Sequence, residues 1–290
     1  MSSWTIDDLP DQTGRSVIIT GANSGLGACT ARAFAAKGAS VVLACRDTSK
    51  GTAAAATMPG AVQVSPLDLA DLASVRAFAA DCPGADVLVN NAGVMAVPKK
   101  RTADGFEMQI GTNFLGHFAL TALLLPTITE RVVTLSSGAH RIGRISLDDL
   151  NWRKRRYRRW AAYGQSKLAD LMFAYELARR LEERGSQVLS VAAHPGYAST
   201  GLQSHTESIQ DRVLALGNRL LAQDAEAGAL PTLYAATMPD VGNGDFYGPD
   251  GVGELRGSPK RVGSSGASKD TAVAAKLWER AVELTGVNVD

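Results

Sequence analysis

The chain has 290 residues, of which 45% are hydrophobic and 20% charged, and its formal net charge is +1. This balance fits a soluble α/β protein large enough to bury its own core, and it excludes the global positive field that gathers nucleic acid. Three cysteines, Cys29, Cys45 and Cys82, have no CxxC or paired spacing, which points to reduced thiols in a cytosolic protein and away from a disulfide frame or a zinc site.

The N-terminal stretch "MSSWTIDDLPDQTG" is polar and acidic, unlike a signal or transit peptide, so a cytoplasmic location is expected. Strands are predicted at 16–20, 40–45, 61–65, 86–90, 131–136 and 187–194, with a late one at 245–248. Helical segments rich in alanine and leucine fall between them at 26–37, 71–81, 103–125 and 161–184, and an amphipathic helix closes the chain at about 271–286. Strands that alternate with helices predict βαβ units in one doubly wound α/β domain over residues 1–290, its sheet seven-stranded and mostly parallel. The alternation lapses over 196–224, which is expected to form a lid or substrate loop outside the carboxyl ends of the strands. Its mixed apolar and basic "ALGNRLL" suggests a sizeable hydrophobic substrate. The longest apolar runs, such as "ALTALLLP" at 119–126, are too short to span a bilayer, so no integral membrane contact is expected.

The turn after the first strand, "TGANSGLG", makes Gly21, Asn23, Ser24, Gly25, Leu26 and Gly27 candidates for a phosphate site. Glycines here permit a tight turn and close backbone approach, so that a helix N-terminus faces a pyrophosphate. Their spacing, Gly-x-x-x-Gly-x-Gly, differs from the commonest dinucleotide fingerprint. At the end of the second strand an acid would bind the adenosine ribose of NAD, but Cys45 occupies that place and Arg46 follows. Arginine makes a forked contact with a 2′-phosphate, which favours NADP(H), with Ser24 and Lys50 as helpers; the alternative is a solvated Arg46 paired with Asp47.

In order along the chain, "TGANSGLG" (20–27), "DL" (68–69), "NNAG" (90–93), Asn113, "SS" (136–137), "YGQSK" (163–167) and "HPGYAST" (194–200) together resemble the short-chain dehydrogenase/reductase family, from about residue 14 to the C-terminus. The smaller features "ACRD", "NFLGHF" and "YGPDG" are most similar to the branch that contains retinol dehydrogenases and the WW-domain oxidoreductase. The resemblance implies that Asp68 and Leu69 contact the adenine, and that Asn90, Ala92 and Gly93 support the sheet and meet the cofactor ribose. It also implies that Pro195, Gly196 and Thr200 hold the nicotinamide carboxamide.

Tyr163 is the expected proton donor. A free phenol has a pKa near about 10, too high for efficient exchange at neutral pH. Lys167 lies one helical turn further on, where its charge favours the phenolate and its ammonium can reach the ribose hydroxyls. Ser137 is expected to hold the substrate oxygen. The resemblance implies that Asn113 interrupts its helix to hold a water that links Lys167 to solvent. The four histidines, His117, His140, His194 and His205, lack metal-ligand spacing and are read as structural or solvated.

The expected function is therefore NADP(H)-dependent interconversion of a hydroxyl and a carbonyl on a hydrophobic, retinoid-, steroid- or lipid-like small molecule. Reduction of a conjugated carbon–carbon double bond, as in protochlorophyllide reductases, is the alternative within enzymes; a non-catalytic NADP sensor is the alternative outside them. The chain lacks the apolar N-terminal anchor of many retinol dehydrogenases, which counts against retinol itself. Helices around 113–125 and 163–181 are apolar enough for a homo-oligomer interface or for the core.

One segment stands apart. Residues 153–159, "RKRRYRR", carry six positive charges, and removing those six from the net +1 leaves −5 for the rest of the chain. Twenty-five residues separate Ser137 from Tyr163, so this insertion returns at the rim of the site. It reads either as a solvated helix start or as a docking surface for an anionic partner.

Overall fold

The computed structural model describes residues 4–197 and 224–288. Eight strands form one sheet in the order β3-β2-β1-β4-β5-β6-β7-β8. They are β1 (Ser16–Thr20), β2 (Ser40–Cys45), β3 (Val62–Pro66), β4 (Ala85–Asn90), β5 (Ile128–Leu135), β6 (Leu189–Ala193), β7 (Phe246–Pro249) and β8 (Pro259–Arg261). The first seven are parallel, as their apolar runs predict. The eighth strand is a correction: β8 pairs antiparallel to β7, matching Gly248 with Lys260. Only three residues long, led by a proline and half exposed, it carries no apolar run, as befits an edge strand.

Along each central strand alternate residues face opposite layers. Ile18, Leu88 and Val132 point into one core, while Val17, Ile19, Val87, Val89 and Val133 point into the other. Helix α1 (Gly25–Ala36) and helix α6 (Ala225–Thr237) cover the second face. Helices α3 (Leu72–Asp81), α4 (Gly116–Leu124), α5 (Arg159–Glu183) and α7 (Thr271–Thr285) cover the first; α2 (Thr48–Ala55) joins β2 to β3.

The helix expected over 103–125 begins later and irregularly. A π-helical turn occupies Ile110–Leu115 before α4 proper. Apolar residues of α4 and α5 contribute to the core: Phe118 and Phe173 pack edge-on, and both meet Trp278 of α7. Among the described residues no helix is long and apolar enough to cross a membrane. Of the expected lid, all but residues 196, 197 and 224 lie outside the described residues, as do Thr200 and His205.

Strand order reverses between β1 and β4, and at the carboxyl ends of such strands a parallel sheet opens a crevice. The candidate site is there.

Candidate active site

The floor of the crevice is the turn from β1 to α1. Gly21 and Gly25 adopt φ values of +66° and +55°, in the left-handed region. A Cβ on Gly21 would stand 2.9 Å from the Ala92 Cβ, and one on Gly27 would stand 2.5 Å from the Asn91 side chain. Helix α1 therefore starts without side chains between its first N–H groups and the crevice. Ser24 occupies the N-cap in extended conformation, and its hydroxyl makes no capping bond. Asn23 is half-buried, and Leu26 begins the helix beside it. This bare cradle at the N-terminus of a twelve-residue helix fits a dinucleotide pyrophosphate.

A hydrogen-bonded clamp sets the cradle against β4. Thr20 Oγ1 accepts from the backbone N–H groups of Asn91 and Ala92, both at 2.9 Å, and Asn91 Nδ2 donates to the Thr20 carbonyl at 2.7 Å. Asn90 is fully buried and donates to Thr121 Oγ1 at 2.9 Å, so it ties β4 to α4. Its expected support of the sheet is visible, but the contacts at the cradle come from Thr20 and Asn91. Neither was singled out in the sequence, although Thr20 opens "TGANSGLG" and Asn91 stands inside "NNAG".

At the end of β2, Cys45 is buried and closes on Gly51, where a Cβ would come within 2.6 Å of its sulfur. Asp47 caps α2 through the Lys50 N–H and pairs with Lys50 Nζ at 3.0 Å. Lys50 is thus paired with Asp47, and Asp47 makes no ion pair with Arg46 among the described residues. Arg46 itself is exposed and forms no hydrogen bond or ion pair among the described residues. Asp68 accepts from the Ala70 N–H through Oδ1 alone, and Leu69 is buried beside it.

The second wall is built where β5 meets α5. Ser136 and Ser137 diverge as strand alternation predicts. Ser136 Oγ is buried and donates to the Lys167 carbonyl at 2.8 Å; Ser137 is half-exposed, and its Oγ accepts only from the Ala139 N–H, at 3.2 Å. The hydroxyl hydrogen of Ser137 is thus uncommitted. A Cβ on Gly143 would stand 2.3 Å from the Gly164 carbonyl oxygen, so the turn after Ser137 lies directly on the helix that carries Tyr163. Tyr163 is only 7% exposed, with Trp160 edge-on at 6.0 Å, yet its hydroxyl bonds to none of the described residues. One turn on, Lys167 Nζ donates to the Leu135 carbonyl at 3.0 Å and to Asp170 Oδ2 at 2.8 Å. Asp170 is a residue the sequence reading missed; its position three residues after the lysine is the signal.

Asn113 is fully buried. It does sit in an interrupted helix, the π turn. Its side chain, however, is spent on protein: Oδ1 accepts from the Val94 N–H at 2.8 Å, and Nδ2 donates to the Val94 carbonyl and to Ser166 Oγ. Its carbonyl accepts from His117 Nδ1 at 2.7 Å, and His117 Nε2 lies 2.9 Å from Thr20 Oγ1. Since Nδ1 donates, the neutral ring accepts at Nε2 from the threonine. Burial, with Lys167 adding to it, pushes His117 down to about 3, so the ring stays neutral. One chain of hydrogen bonds thus runs from the phosphate turn through His117 to Asn113. Gly93 closes the space between the walls, since a Cβ there would meet Asn113 Oδ1 at 3.2 Å and Lys167 Nζ at 3.8 Å.

A family model described as short chain dehydrogenase matches residues 15–211. The chain belongs to the short-chain dehydrogenase/reductase family. It is 41% identical to human (Homo sapiens) retinol dehydrogenase 13 over 94% of this chain and 85% of that one, and 39% identical to Mus musculus polyprenol dehydrogenase over 96% and 86%. A crystal structure of a protein from Mycobacterium Paratuberculosis superposes with a TM-score of 0.88 at 53% identity, covering all of both chains. The short-chain dehydrogenase/reductase chain is therefore an oxidoreductase with a nicotinamide dinucleotide site, and the cradle geometry agrees.

The remaining candidates lie just after β6 and just ahead of α5. Gly196 has φ +67°, and a Cβ on it would strike the Leu255 carbonyl at 2.5 Å. Pro195 precedes it, and the Gly196 N–H donates to His194 Nδ1 at 3.2 Å. The basic segment 153–159 is neither fully solvated nor wholly helical, because α5 starts only at Arg159. Arg153, Lys154, Arg156 and Arg158 are exposed. Arg155 turns inward, its guanidinium 3.6 Å above the Trp152 ring and paired with Asp149 and Gln165. Among the described residues no cluster of His, Cys, Asp or Glu could hold a metal.

Proposed function

We propose that the protein is an NADP(H)-dependent dehydrogenase that interconverts a primary or secondary alcohol and its carbonyl on an apolar, isoprenoid-like substrate. The observation that carries this reading is the Tyr163–Lys167 pair: a buried phenol with an unpaired hydroxyl, one helical turn from an ammonium held beside the cofactor cradle. The preference for a phosphorylated ribose is supported by Cys45, which stands at the end of β2 where an acid would bind the ribose of NAD, and by the unpaired Arg46. The substrate class is supported by the relatives named for retinol and polyprenol.

The nicotinamide, when bound, supplies or accepts the hydride. Every other task falls to side chains of this chain. In reduction, the uncommitted hydroxyl of Ser137 donates to the carbonyl oxygen and orients it. Tyr163 then gives its proton to that oxygen as negative charge develops there, and Lys167 stabilises the phenolate left behind. In oxidation the same phenolate takes the proton back. Asn113 keeps Ser166 and the Val94 backbone in register, so that Lys167 and Gly93 face one space.

The test is turnover of all-trans-retinal and a short polyprenal, followed by loss of NADPH absorbance. Activity with either, absent from Tyr163→Phe, supports the reading. No turnover of any aldehyde or ketone by a protein that binds NADPH would refute it.

A further inference from the structure

Asp170 is nearly as buried as any residue in the site, at 2% exposed, and Lys167 is 5% exposed. Among the described residues the carboxylate caps no helix and receives no backbone N–H. Oδ2 takes the Lys167 ammonium at 2.8 Å, and Oδ1 has no hydrogen-bond partner among the described residues. Lys167 is thus the one group Asp170 serves. The ammonium has three N–H bonds; Asp170 and the Leu135 carbonyl take two, which leaves one for the cofactor ribose.

We propose that Asp170 is a positioning residue for the reaction: it fixes Nζ of Lys167 on the cofactor side of α5 and keeps that nitrogen protonated inside a site closed to water. This rests on the reading of Lys167 given under Proposed function. A lone ammonium so buried would lose its proton several pH units early, because burial disfavours the charged form. Here burial pulls Lys167 down more strongly than any single group raises it, but the Asp170 carboxylate and Tyr163 together outweigh burial, and the lysine stays above its ordinary range. Burial pushes Asp170 itself up to about 6 against the pull of Lys167, so the pair is ionised above that pH.

The other ionisable groups acting on the pair are Tyr163 on the same helix and His117 on α4, which stays neutral. Charged residues of other elements packed on α5 do not act on either member; these are Glu130 and Arg131 on β5, His140 and Arg141 after Ser137, Lys269 before α7, and Lys276, Glu279, Arg280 and Glu283 on α7. The charge of Lys167 therefore depends on Asp170.

The experiment is NADPH affinity, by fluorescence titration of the full chain, measured from about pH 6 to about pH 9 for wild type, Asp170→Asn and Lys167→Met. Taking the ratio of variant to wild-type dissociation constants at each pH cancels titration of the cofactor. For Asp170→Asn the ratio should rise at least about fivefold across that range, as the unpartnered lysine deprotonates. A residue that only packed the helix would weaken binding by the same factor at every pH, and a flat ratio would overturn the proposal. Asp170→Ser, smaller and equally uncharged, must show the same rise, and it serves if the asparagine variant does not fold. Lys167→Met separates the two readings. If it leaves NADPH affinity unchanged, the assignment of Lys167 falls and this proposal with it. If it weakens binding while the Asp170→Asn ratio is flat, only the role of Asp170 falls.

Discussion

His194 and Glu254, sixty residues apart, meet at 3.0 Å between Nε2 and Oε2 just beyond the end of β6. Because His194 Nδ1 accepts from the Gly196 N–H, the ring is neutral and its Nε2–H donates to the glutamate. The pair joins the Pro195–Gly196 segment to the loop after β7, and Arg141 reaches the same glutamate from the turn after Ser137. A histidine read from sequence as structural thus braces both the serine turn and the Pro195–Gly196 segment.

Stability should fall with acidification. Burial pushes His194 down to about 4 despite Glu254 beside it, and pushes His117 to about 3. Their unfolded values lie near about 6.5, so the unfolded chain binds more protons below that pH. The contribution is complete above about 6.5 and is lost as pH falls toward 4. Asp170, raised to about 6, opposes this over part of the window. Denaturant unfolding of His194→Gln at pH 7 and pH 5 should show a loss smaller than that of wild type by on the order of 2 kcal/mol. Equal losses would deny the buried neutral state of His194.

Cofactor preference should depend on Arg46. Arg46→Ala should weaken NADPH about tenfold to a hundredfold, the scale of a charge-assisted hydrogen bond, and leave NADH unchanged. Equal loss for both cofactors would place Arg46 on the adenine and not on a 2′-phosphate.

The contact of Gly143 with Gly164 makes a steric prediction. Gly143 has φ −68°, which any residue accepts, so Gly143→Ala acts only through the Cβ driven onto the Gly164 carbonyl and Leu168. It should cost about 1–3 kcal/mol in urea unfolding and reduce turnover more than NADPH affinity, because it separates Ser137 from Tyr163. Unchanged turnover would mean that this spacing is not critical.

The basic segment divides by burial. Replacing Arg153, Lys154, Arg156 and Arg158 together with glutamine should leave the melting temperature unchanged, since none is buried. Arg155→Gln alone should lower it, because Arg155 loses the Trp152 ring and the Asp149 carboxylate. An anionic partner, one of the two readings of this segment, would be met by the four exposed residues.

Much of this was legible in the chain because parallel strands buried on both faces read as short apolar runs, and glycine turns mark where backbone must approach a ligand. The strands β1 to β7 and the Tyr163–Lys167 turn are of that kind. What was missed depends on tertiary partners. The edge strand β8 has no apolar pattern, and Asp170 resembles any polar helix residue until its burial is known. Thr20, His117 and Asn91 gain meaning only through their mutual hydrogen bonds. Arg155 and Arg156 are identical in sequence, yet one lies on an indole and the other in solvent.

The central claim, that Tyr163 is the acid and base of an alcohol–carbonyl interconversion, is tested most directly by Tyr163→Phe. This change removes one oxygen that bonds to none of the described residues, so folding and NADPH affinity should be retained. Steady-state turnover of the best aldehyde with NADPH should fall at least about a hundredfold, the general-acid contribution. Turnover near that of wild type would contradict the account.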